Sequence, residues 1–210
     1  MKYEIVYSFT LLISTLTVLA TAVMAASAAI QGARQEFDPF GATVLAIVTA
    51  VGGGTLRDLL IGATPVFWIK DLTYLATAVP VGMLTFMFAG KLQQGNERRL
   101  RLLMYLDAIG LALFTLVGVQ VALANEIPFV SAVVLGCITG VAGGMFRDVL
   151  CGLTPSILKQ DLYATISLGG GIFYIVTRPH MPNEVSLAIA FALMTTIRFV
   201  VIYRGRPKGA

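Results

Sequence analysis

Two short stretches of this chain place charge where charge is costly. Arg57 and Asp58 follow Gly52, Gly53 and Gly54 inside the apolar run Phe40–Ile61, and Arg147 and Asp148 follow Gly143 and Gly144 inside Phe129–Cys151. In a bilayer each such charge costs roughly 2.5–3.5 kcal/mol even on mild insertion scales. Neighbouring helical residues point about 100° apart, so Arg57 need not pair with Asp58. Pairing across the two motifs, Arg57 with Asp148 and Arg147 with Asp58, is geometrically attractive. The other reading puts these residues near the interface, where they snorkel.

The glycines carry a second kind of chemistry. Each weakens a helix by roughly 1 kcal/mol relative to alanine, so Gly52–Gly54 and Gly143–Gly144 are expected to kink or unwind their helices. Breaks are tolerated at depth only against protein or a wet cavity, and the freed carbonyls and amides can coordinate ions. The alternative is that the glycines serve only close packing. Asp107, which opens DAIGLALFTLVG, is a third intramembrane charge. It either draws cations to a cytoplasmic mouth or pairs with Arg101 or Arg98. Arg198 stands near the end of the last apolar run and is expected to snorkel.

Apolar helices must position these residues. The chain is 57% hydrophobic and 12% charged, with a mean hydropathy of +0.85. A soluble domain carries about 25% charged residues, so the solvent here is largely lipid. The net charge of +4 sits at the ends of apolar runs rather than on one face, which excludes a nucleic-acid binder. Cys137 and Cys151 lie in one run, roughly 21 Å apart along a helix, too far to pair. The only histidine, His180, falls in a polar loop. No catalytic triad, phosphate loop or metal-ligand cluster is spelled out, so neither an enzyme nor a cofactor is expected.

Seven runs are long enough to span a bilayer: Ser8–Ile30, Phe40–Ile61, Leu72–Gly90, Leu102–Ala124, Phe129–Cys151, Leu162–Thr177 and Val185–Tyr203. The first could pass for a signal peptide, but its basic start is thin, with Lys2 offset by Glu4, and the repeat below needs it as a helix. Arg34, Lys91, Arg98, Arg99, Arg101, Lys159, Arg204, Arg206 and Lys208 fall on one side, against Lys2, Lys70 and Arg178 on the other. The positive-inside rule then puts the C-terminus in the cytoplasm and the N-terminus outside.

Displaced by 90 residues, the chain aligns with itself. GGTLRDLLIGATP at Gly53–Pro65 falls on GGMFRDVLCGLTP at Gly143–Pro155, and 15 of 38 positions match between windows 40–77 and 130–167. Arg, Asp, Gly and Pro coincide together, which chance apolar matches would not do. Ala46, Ala50 and Gly54 superpose on Gly136, Gly140 and Gly144, small-residue rows that let helices approach closely. Asp71 and its counterpart Asp161 read as N-caps or first-turn acids of the following spans. A three-span unit duplicated in one chain must insert its second copy upside down. The expected fold is one all-α transmembrane domain, with repeats over about residues 8–90 and 102–177 and a seventh helix over about 185–203.

The paired GGGTLRDLLIGATP and GGMFRDVLCGLTP motifs, with DAIGLALFTLVG between them, resemble the prokaryotic branch of the trimeric intracellular cation channel (TRIC) family and the related glycine-transporter-like bacterial proteins. The resemblance covers nearly the whole chain. It implies a homotrimer in the bacterial inner membrane, in contact with lipids, with one pore in each protomer. It implies gating around the second and fifth spans, carried by Gly52, Gly53, Gly54, Gly143 and Gly144 with Arg57, Asp58, Arg147 and Asp148 beside them. The lysine-glutamate-valine motif of animal members is absent from the fourth span, which offers Asp107 instead. Two functions stand side by side: a channel for K⁺ or Na⁺, and a secondary transporter of a small solute such as glycine. The arginines oppose the first unless their aspartates neutralise them.

Overall fold

A computed structural model describes residues 2–91, 96–159 and 162–204. Among them the chain is helical, with no strand: α1 (Lys2–Arg34), α2 (Pro39–Ile61), α3 (Phe67–Lys70), α4 (Thr73–Lys91), α5 (Asn96–Ala124), α6 (Phe129–Leu150), α7 (Ser156–Lys159), α8 (Ala164–Thr177) and α9 (Asn183–Arg204). Five helices (α1, α2, α5, α6 and α9) are long and apolar enough to cross a membrane, and α4 and α8 are shorter apolar helices. The exterior shows why lipid must be the solvent. Phe40, Val130, Leu158 and Leu72 are among many large apolar side chains left exposed. Arg206 and Lys208, which the charge bias counted, and Asp161 lie outside the described residues.

The two halves start their second helices differently, with Asp38 before α2 and Pro128 before α6, but end them alike. Asp38 caps α2, its carboxylate accepting the Gly41 N–H at 2.7 Å. Gly62 closes α2 at φ +72°, and Gly152 follows α6 at φ +67°, a left-handed conformation that glycine adopts without steric penalty. Glu36 and Glu126 take positive φ after α1 and α5. Both pairs are 90 residues apart, so the backbone repeats the offset found in the sequence.

The helices do not unwind at the glycines. α2 stays helical through Gly52–Gly54, and α6 through Gly143–Gly144. Glycine's weak helix propensity is outweighed by a packing requirement. A Cβ on Gly53 would strike the carbonyl oxygen of Thr139, and a Cβ on Gly143 would strike that of Thr49. Residues 53 and 49 stand 90 positions before 143 and 139, so each helix offers its partner the same surface. Reciprocal contact of this kind is what a two-fold relation produces. The small-residue rows do similar work elsewhere. Gly136 and Gly140 bring α6 so near α5 that added Cβ atoms would come within 2.8 Å of the Thr115 and Leu111 carbonyl oxygens. Ala46 and Ala50 of α2 are buried with Ala20, Met24 and Ala28 of α1.

Candidate functional site

Close crossing of α2 and α6 leaves both Arg-Asp motifs inside the protein. Arg57, Asp58, Arg147, Asp148 and Asp107 are each at most 4% exposed. A buried charge without a partner would be strongly destabilising, so its partners decide what it does.

In the first half, Arg57 donates from Nε at 2.9 Å and from Nη2 at 2.7 Å to Oδ1 of Asp58, its neighbour in sequence. Oδ2 of Asp58 accepts the N–H of Phe67 at 2.8 Å. Phe67 is the first residue of α3, so one carboxylate neutralises an arginine and holds the loop that folds back over it. The Phe67 ring then covers Arg57, with the guanidinium carbon 5.6 Å from the ring centroid, and lies against Gly54, where a Cβ would meet the ring at 2.6 Å. Tyr74 closes the stack edge-on to Phe67, centroids 4.7 Å apart. Beside it, Trp68 Nε1 donates to Thr55 Oγ1 at 2.9 Å.

The second half repeats this scheme and extends it. Arg147 donates from Nε at 3.0 Å and Nη2 at 2.9 Å to Oδ1 of Asp148. Oδ2 of Asp148 accepts both the N–H and the hydroxyl of Ser156, the first residue of α7, each at 2.8 Å. Arg147 also donates from Nη1 to Ser27 Oγ at 2.7 Å and to Asp107 Oδ1 at 2.8 Å. The Tyr163 hydroxyl donates to Asp107 Oδ2 at 2.7 Å, and Arg198 stacks over the Tyr163 ring at 4.7 Å. One guanidinium thus ties α6 to α5 and α1. Gly144 makes room for the group, since a Cβ there would sit 3.2 Å from Asp107 Oδ1 and 3.3 Å from the Tyr163 hydroxyl.

Several expectations are corrected by this geometry. The cross pairs Arg57–Asp148 and Arg147–Asp58 do not form. Each arginine is long enough to curl back onto the next residue, and each aspartate is fixed by the helix start of its own loop. Asp107 pairs with Arg147 rather than with Arg101 or Arg98, because it lies on the buried face of α5; Arg101 meets the exposed Glu97 at 3.8 Å instead. Arg198 does not snorkel: it is 1% exposed and stacked on Tyr163. Asp71 is not the N-cap of α4, a position held by Leu72, whose carbonyl accepts the Ala76 N–H; it stands one residue earlier and accepts the Thr73 N–H at 2.9 Å. This interaction, with the Thr73 side chain foremost, holds its carboxyl below the ordinary value. Cys137 and Cys151 are free thiols. Ser27, Phe67 and Tyr163 were not singled out by sequence. Tyr163 stands in a run where only its one-residue register shift against Tyr74 marks it.

A duplicated all-helical membrane protein with paired, internally neutralised arginines is the class that fold and site define. The family model described as glycine transporter matches residues 14–90 and again residues 104–179, and the chain belongs to that family. It is 43% identical over 194 residues to the UPF0126 inner membrane protein YadS of Escherichia coli, covering 91% of this chain and 92% of that one. It is 40% identical over 190 residues to a UPF0126 membrane protein of Vibrio cholerae, covering 90% and 77%. Among solved structures, it superposes on the trimeric intracellular cation channel orthologue from Rhodobacter sphaeroides with a TM-score of 0.87 at 34% identity, over 93% of this chain and 99% of that one. A prokaryotic TRIC channel crystallised in 0.5 M KCl gives a TM-score of 0.88 at 27% identity, over 94% and 100%.

Proposed function

We propose that this chain is a monovalent-cation channel of the bacterial inner membrane, assembled as a homotrimer with a pore through each protomer. Seven spans put the N-terminus outside and the C-terminus in the cytoplasm. The Arg57 site then lies toward the outer face and the Arg147 site toward the inner face. Permeation by K⁺ or Na⁺ past two buried arginines requires that neither presents uncompensated positive charge. The observation that carries the reading is the hydrogen bonding of both: Arg57 to Asp58, and Arg147 to Asp148 and Asp107. The likeness to solved cation channels points the same way. Opening would tilt α2 against α6 about the Gly53 and Gly143 contacts, where glycine leaves the backbone most freedom.

The glycine-transporter description of the family favours a second reading, a carrier that binds a small zwitterion. A substrate carboxylate would need an arginine donor, yet Arg147 already donates from all three of its nitrogens. Purified protein in planar bilayers separates the two. Discrete unitary currents carried by K⁺ support the channel. Saturable uptake of labelled glycine into proteoliposomes without such currents would replace it with the carrier.

A further inference from the structure

Seven threonines of this protein follow a rule that Thr21 and Thr49 do not. A helical threonine bonds back to the carbonyl four residues earlier, which satisfies its hydroxyl inside an apolar helix. Thr15, Thr17, Thr43, Thr55, Thr77, Thr139 and Thr177 all do so, at 2.7–2.9 Å or, for Thr139, at 2.6 Å. Thr21 and Thr49 are both 0% exposed, and the hydroxyl of neither has a hydrogen-bond partner among the described residues. A buried hydroxyl left unpaired costs about 1–3 kcal/mol, and such groups mark sites of water or ions.

Their position is as informative as their state. α1 and α2 run antiparallel with Gly32 against Ala42, a register that sets Thr49 opposite Ala25 and Thr21 opposite Gly53. Counted from that contact, the two residues stand at levels about one helical turn apart along the bundle. The carbonyl of Thr49 is the group that Gly143 must clear, and the Met24 methyl lies 3.6 Å from where a Gly143 Cβ would stand. Thr49 thus stands at the crossing of α2 and α6, and Thr21 lies less than one turn before Met24 on α1, whose methyl reaches it. Thr139, the counterpart of Thr49 in the second half, spends its hydroxyl on Leu135. Leu111, the counterpart of Thr21, has no hydroxyl to offer.

We propose that the Thr21 and Thr49 hydroxyls are oxygen ligands for the permeating cation at the crossing, replacing part of its hydration shell. Neutral oxygens suit the task, because a weak ligand lets a monovalent ion leave as readily as it enters. The site is built from one half only, so selectivity is set there and not at the matching level of the second half. This inference rests on the channel reading above.

The test is single-channel recording in planar bilayers from the trimer carrying Thr49→Val, Thr21→Val or both, beside wild type. Thr195→Val is the control, since Thr195 also lacks a hydroxyl partner but sits in α9. Each valine variant should lower unitary K⁺ conductance about fivefold, the ratio that one ordinary hydrogen bond is worth, and shift the K⁺/Na⁺ permeability ratio. Thr49→Ser and Thr21→Ser, which keep the oxygen, should conduct as wild type does, and Thr195→Val should change neither property. Should a valine variant fail to assemble, Thr49→Ala and Thr21→Ala read the same loss. Wild-type conductance and selectivity in the valine or alanine variants would overturn the hydroxyl site and leave the channel standing. A wild-type protein that passes no unitary current would overturn both.

Discussion

The two buried arginines begin from the same Arg-Asp pairing and end in different company. Arg57 meets one carboxylate and an aromatic ring. Arg147 meets two carboxylates and the Ser27 hydroxyl, and joins three helices. Duplication supplied both halves with an Arg-Asp pair in which the aspartate also starts a short helix, at Phe67 in one and Ser156 in the other. Divergence then added Asp107, where the offset places Thr17, and Ser27, where it places Val117. The shared part neutralises a charge within one hairpin. The added part cross-links α6 to α5 and, through Ser27, to α1 of the first half.

Removing the arginines should separate the two halves most sharply. Arg147→Ala leaves Asp148 and Asp107 buried without their cation and should destabilise the protein by about 3–5 kcal/mol. Arg57→Ala strands one carboxylate, which also keeps its bond from Phe67, and should cost less. Thermal unfolding of the two variants in one detergent gives the order; equal losses would mean that the extra partners of Arg147 are energetically idle.

Gly53→Ala and Gly143→Ala come next, and here the halves should behave alike. Each new methyl would drive the opposing carbonyl away, at about 1–3 kcal/mol for overpacking, because the contact is reciprocal. A large loss in one variant and none in the other would deny the two-fold relation.

The smallest contrast is between tyrosines. Tyr163→Phe deletes a hydrogen bond to a buried carboxylate and should cost about 1.5–3 kcal/mol, as bonds to charged groups do. In Tyr74→Phe no carboxylate loses a donor, and the ring stays packed on Phe67, so the loss should be smaller. Chemical denaturation of both variants measures the difference.

Much of this was legible in the amino-acid sequence, for physical reasons that differ by feature. The long apolar runs, the 90-residue offset and the small-residue rows follow from hydropathy and identity alone, and each has a counterpart in the helices. The motifs themselves announced buried charge. Their partners were not legible, because pairing depends on rotamers and on how far a helix is turned. Whether Arg57 curls onto Asp58 or reaches across the crossing is decided by the Phe67 amide that fixes Asp58, nine residues away. Asp107 was recognised as unusual, yet its partner Arg147 is 40 residues distant and depends on the rotation of α5. The glycines misled for a related reason. Propensity predicts breaks in α2 and α6, whereas contact between helix backbones rewards glycine while the helix continues. α3 and α7 are single turns held by Asp58 and Asp148, too short for any periodic signal.

The proposed cation permeation depends on charge cancellation at the arginines, and the reversal potential of unitary current under a KCl gradient measures it. Wild-type protein should reverse near the potassium equilibrium potential, and Asp58→Asn, which leaves Arg57 uncompensated, should shift the reversal toward that of chloride. Wild-type current reversing at the chloride potential would contradict the account.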